Sequence, residues 1–111
     1  MWRLLLLAAM LVVPASAAAQ FMDGNRLYAR LQAGKGRDGV VEAAIATGYV
    51  TGVADAYPNC IPAGVTVGQL VDIALQYLED HPEKRQLPAV TLVATAISEK
   101  FPCAPKGSSI K

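Results

Sequence analysis

Very few side chains in this sequence could carry covalent or acid–base chemistry. The chain holds two cysteines, Cys60 and Cys103, and a single histidine, His81. A redox centre would place its thiols as Cys-x-x-Cys or set one at a helix N-terminus, and neither cysteine has that setting. A Ser-His-Asp or Cys-His arrangement needs His81 paired with a nucleophile and an orienting group, for which the sequence offers no pattern. Zinc needs three or four ligands, and one histidine with distant carboxylates does not supply them. Glu79, Asp80 and Glu83 cluster in "YLEDHPEKR". Carboxylates at that spacing can divide acid and base roles when buried. Beside Lys84 and Arg85 at a helix end, they read as a solvated corner of mixed charge. "GKGRDG", residues 34–39, fits the glycine pattern of dinucleotide-binding turns. That pattern works only after a β-strand, and here a helix precedes it, so it reads as a flexible linker. No cofactor or metal is implied, and no enzyme.

What positions these residues begins after a leader. "MWRLLLLAAMLVVPASAAAQ" has one basic residue, an apolar run, Pro14 and then small residues. This is the layout of a secretory signal peptide, and residues 1–19 are read as one. The run is too short for a stable membrane span, so no membrane insertion is expected after cleavage. Without Arg3 the chain carries nine basic and nine acidic residues, which excludes the basic excess of a nucleic-acid binder. Export places Cys60 and Cys103 in an oxidising compartment, where two cysteines have one possible pairing. About 90 residues bury only a small core, and domains of that size often need such a staple.

Residues 20–103 read as one all-α domain, a small bundle of about four helices tied by one disulfide. The first helix spans about residues 23–32, capped by Asp23 or Asn25, with Leu27 and Leu31 inward. The second spans about 40–56, capped by Asp38. Its expected buried stripe is Val41, Ala44, Ile45, Gly48, Tyr49, Gly52, Val53 and Ala56. Gly48 and Gly52 each cost a helix roughly 1 kcal/mol against alanine, which suggests close approach of another helix backbone. The third starts at a capping box of Thr66 and Gln69, with Val65 and Leu70 at the staple positions. Leu70, Ile73, Ala74, Tyr77 and Leu78 form its stripe, and Pro82 ends it. The fourth begins near Leu87 with Pro88 in its first turn, presents Val90, Val93, Ala94, Ile97 and Phe101, and stops at Pro102. Residues 104–111 lack periodicity and read as a disordered tail.

Several stretches occur together and in order: the leader, "DGNRLYARL", "GYVTGVADAY", "CIPAGVTVGQLVDIALQYLEDHPEKR" and "FPC". The set resembles the Tai-like immunity proteins of type VI secretion systems, periplasmic proteins that neutralise peptidoglycan-amidase effectors. The similarity runs from about Phe21 to Cys103. It implies a non-catalytic inhibitor of a cell wall amidase, often a homodimer, located in the periplasm, with Cys60 and Cys103 as the retained cysteine pair. Members often carry a second pair, and here Leu31 and Ala46 stand at its positions. The contact residues vary within such a family and do not carry over. Physical reasoning places partner contacts on exposed connections: Tyr57 and Asn59 in "AYPNC", and His81, Glu83, Lys84 and Arg85 in "DHPEKR". The alternative is another exported binding protein, such as a small disulfide-stapled periplasmic chaperone.

Overall fold

The structure, a computed structural model, describes residues 21–104. The leader at 1–19 and nearly all of the tail, 105–111, lie outside the described residues. Four α-helices follow in order: α1 (Gly24–Ala33), α2 (Val40–Ala56), α3 (Val67–Asp80) and α4 (Ala89–Lys100). A 3₁₀ turn, Pro82–Lys84, connects the last two. The described residues form no strand, only an isolated bridge between Asp23 and Pro88.

Of the two candidates for the α1 cap, Asp23 is the one used. Its carboxylate accepts from the Arg26 amide at 2.8 Å. The start of α1 is also stitched to the segment before α4: the Gly24 amide donates to Leu87 O, Asn25 to Arg85 O, and Ala89 to Met22 O. This gives backbone donors at a helix N-terminus, which lack partners within the helix, acceptors from another element.

The glycine-rich stretch after α1 is a built turn rather than the flexible linker expected. Gly34, Lys35, Gly36 and Gly39 each donate a backbone hydrogen bond within residues 30–39. Glycine is needed where chains touch: a Cβ on Gly39 would strike Ala33 O, and one on Gly34 would press on Ala43. Asp38 does not cap α2 either. Gly39 occupies the cap position, with no side-chain hydrogen bond.

The expected buried stripe of α2 is largely wrong. Val53 is buried and Tyr49 half-buried, but Val41 is 67% and Ile45 41% exposed. Gly48 and Gly52 face open space, with nothing within 4 Å of an added Cβ. The buried face is Ala46, Val50 and Val53. α2 is apolar or small nearly all round, so periodicity does not select a face. Neighbouring contacts do: Arg30 pairs with Glu42 at 2.8 Å, and Ala43 packs beneath Gly34.

α3 starts as read. The Thr66 hydroxyl accepts from Gln69 N at 3.1 Å, and the Gln69 side chain accepts from Thr66 N at 2.8 Å. Its inward residues are Leu70, Ala74, Leu75, Tyr77 and Leu78, with Ile73 half-buried. In α4, Pro88 is the N-cap, one position before its expected place. Val93 and Ile97 are buried as expected, joined by Ala89, Leu92 and Ala96. Val90, Ala94 and Phe101 pack at the edge of the core. α4 touches all three other helices, so it buries more of its circumference than one stripe. Leu27, Val50, Leu78, Val93 and Ile97 form the inaccessible centre, and no polar or charged residue among those described is buried.

Candidate binding surface

Two exposed connections frame α3. The first, between α2 and α3, is held by the bond between Cys60 and Cys103, whose Cα atoms lie 5.2 Å apart. That separation is ordinary for a disulfide. Both cysteines are exposed, so the bond joins the loop to the end of α4 at the surface, outside the core. Asn59 organises the chain on the near side. Its side-chain amide donates to Ala54 O at 2.6 Å and Tyr57 O at 2.9 Å, and its oxygen accepts from Ile61 N at 3.2 Å. Those bonds satisfy Ala54 O in the last turn of α2, Tyr57 O at its cap and the Ile61 amide in the loop beyond. Its polar atoms are thus engaged internally. Tyr57, by contrast, is 48% exposed. On the far side Gly64 has φ +92°, a left-handed conformation open to glycine, which turns the chain into the Thr66 cap.

The second connection runs from His81 to Leu87. His81 ends α3, its Nδ1 lies 2.8 Å from Tyr77 O, and its ring stacks on Tyr77 at 4.1 Å. With Tyr77 O as the neighbour, Nδ1 carries the proton and donates. Arg85 donates through Nε to Leu78 O at 2.7 Å, and its guanidinium sits 3.8 Å above the Tyr28 ring. Arg85 therefore fastens this connection to α1 and α3. Glu83 and Lys84 are exposed, with the Lys84 ammonium 6.0 Å from the Tyr77 ring.

The structure brings Cys60 and Cys103 together with Tyr57 and Asn59 at one end of α3, and places His81, Glu83, Lys84 and Arg85 at the other. The 14 residues of α3 separate the two by about 21 Å. A groove of about 410 Å³ runs between α3 and α4 from His81, over Tyr77 and Ala96, to Asp72 and Lys100. It continues past Ile73 to Val65 and Phe101 near the disulfide. Asp72, Gln76, Glu99 and Lys100 line it, and sequence reasoning did not single them out. Their signal was the polar side of two amphipathic helices, which alone does not separate a groove from any solvated face.

No group of three or more His, Cys, Asp or Glu side chains among the described residues could hold a metal. One phenol is perturbed: burial pushes Tyr49 above its ordinary value, against an opposing interaction with the Val90 backbone.

These features define a small all-α domain with a surface staple, an apolar interior and two presented loops. The sequence model of the Rap1a immunity proteins matches residues 23–103, and the chain belongs to that family. The resemblance to immunity proteins is thereby established at this coarser level, above the Tai-like amidase group. No curated protein matches the chain significantly.

Proposed function

We propose that this protein is a periplasmic immunity protein that binds and inhibits a peptidoglycan amidase delivered by a type VI secretion system. Membership of the Rap1a immunity family carries the reading. Such a protein acts by occupying a secreted effector, without catalysis of its own. The leader and the single Cys60–Cys103 bond suit an exported protein. The motif order set out above supports the amidase as target, and the homodimer implied with it is part of the reading.

The effector contacts belong on the two loops. Tyr57 and Lys84 are exposed and can enter a cleft. Asn59 and Arg85 shape the loops that present them, and His81 buttresses the second one. The test is an amidase encoded beside this gene, assayed on purified peptidoglycan. Equimolar protein should abolish cleavage, and Tyr57→Ala should weaken binding by more than about 1 kcal/mol if Tyr57 is an anchor. Unaltered cleavage at a large excess of protein would remove the amidase assignment.

A further inference from the structure

The groove between α3 and α4 has an apolar floor and an acidic rim. Ile73, Tyr77 and His81 follow one another at one-turn spacing along its floor. Phe101 extends the floor at the disulfide end, in a further hollow of about 330 Å³. Asp72, Gln76 and Asp80 run beside that row along α3, again one turn apart, and Glu99 joins them from α4. All four rim residues are exposed.

The rim carboxylates are unmatched. The one ion pair among the described residues joins Arg30 of α1 to Glu42 of α2. Asp80 accepts from the neutral Gln76 amide at 2.9 Å. Among the described residues, Lys100 is the one cation lining the groove, against three carboxylates. Lys84 near the His81 end has exposed Glu83 beside it, and Lys35 meets Asp72 only across a separate depression, without an ion pair. The excess is local. Apart from the leader the chain balances nine basic residues with nine acidic ones, so overall charge does not produce it. Asp72 and Asp80, eight residues apart, stand about 12 Å from each other along the helix. A segment laid in the groove can rest apolar side chains on Ile73 and Tyr77 while two cations at that distance meet Asp72 and Asp80.

From this charge complementarity we infer that the α3–α4 groove receives a basic amphipathic segment of the effector, one carrying lysine or arginine beside apolar side chains. The inference rests on the proposed function and adds a recognition site between the two loops. Exposed carboxylates attract such a segment before contact and raise the association rate. The groove also selects among effectors, because an acidic segment there would set like charges together.

The test is the binding kinetics of the amidase encoded beside this gene, between about 20 and 300 mM salt, a range over which screening changes several-fold. The protein is expressed from its full sequence and purified in the form the cell produces. Association with wild-type protein should slow as salt rises. Asp72→Lys and Glu99→Lys should each weaken binding by on the order of tenfold or more and flatten that salt dependence, with helical content retained because both sites are exposed. Asp38→Lys, the same charge change on the exposed turn before α2, should stay within about twofold of wild type. In the isotope-labelled protein, amide resonances of residues 72–81 and 96–101 should shift when the amidase is added. Absence of binding by wild-type protein overturns the amidase reading and the groove together. Tight inhibition that Asp72→Lys and Glu99→Lys leave unchanged overturns the groove alone. Equal weakening by all three lysines reduces the effect to diffuse charge and overturns it as well. Groove resonances that move with the protein's own concentration, or with Lys106→Glu and Lys111→Glu before any amidase is present, would give the groove to a second copy or to the chain's own tail and overturn the inference.

Discussion

At Gly39 an added Cβ would run into the carbonyl oxygen of Ala33, whereas at Gly48 it would meet nothing within 4 Å. The two positions look alike in sequence, and the same substitution should act in opposite directions. Gly39→Ala should destabilise the fold by about 1–3 kcal/mol, because backbone must move to admit the methyl group. Gly48→Ala should stabilise it by up to about 1 kcal/mol through helix propensity. Urea denaturation of both variants would check the pair. Tyr49 offers a second residue-level test. Its folded phenol titrates above the ordinary value of 10.0 because burial disfavours the charged form. Its contribution is fully present below pH 10 and is lost as pH rises through the folded value. Stability measured across that alkaline window should fall, and Tyr49→Phe should flatten the fall.

Among the elements, α3 was legible in advance because its start is specified by neighbouring residues. Thr66 and Gln69 satisfy each other's backbone amides over a span of three residues, and such a box needs no tertiary partner. Thr66→Ala should cost about 1 kcal/mol, visible as a lowered denaturation midpoint with unchanged slope. For α1 the sequence narrowed the cap to Asp23 or Asn25, and the structure uses Asp23. α2 was less legible: its length was predictable, its orientation was not. With apolar or small residues on almost every side, its rotation is set by Arg30, Glu42 and the approach of Ala43 to Gly34. None of these contacts has a periodic signature. The second connection combined both cases. Pro82 marked the end of α3, but the use of Arg85 as a clamp between Tyr28 and Leu78 O required the fold.

For the whole molecule, the disulfide is the feature that ties sequence-distant parts without entering the core. It links residues 43 apart, and in the chain-entropy model closing such a loop is worth roughly 3–4 kcal/mol. Cys60→Ser should lose about that much in equilibrium unfolding. Protein that remains folded should still bind its effector, because both sulfurs lie outside the candidate contacts. Loss of binding by folded mutant would instead give the bond a part in presenting Tyr57. Leu31 and Ala46, where the resemblance places a second cysteine pair in other proteins, are both buried in the apolar core of this one.

By itself the sequence determined the helical class, the helix boundaries to within a residue or two, the capping box of α3, and the cysteine pairing. These depend on local hydrogen bonding, on steric rules near proline, and on there being only two cysteines. It also carried enough ordered motif to point to immunity proteins. Only the tertiary structure decided which face of α2 is covered, that the glycine-rich turn is closely packed, and that Asn59 and Arg85 hold loops together. It also separated the two candidate loops by the length of α3. Those outcomes depend on contacts between distant segments, where one side chain chooses among several partners that its own neighbours in sequence leave equally open.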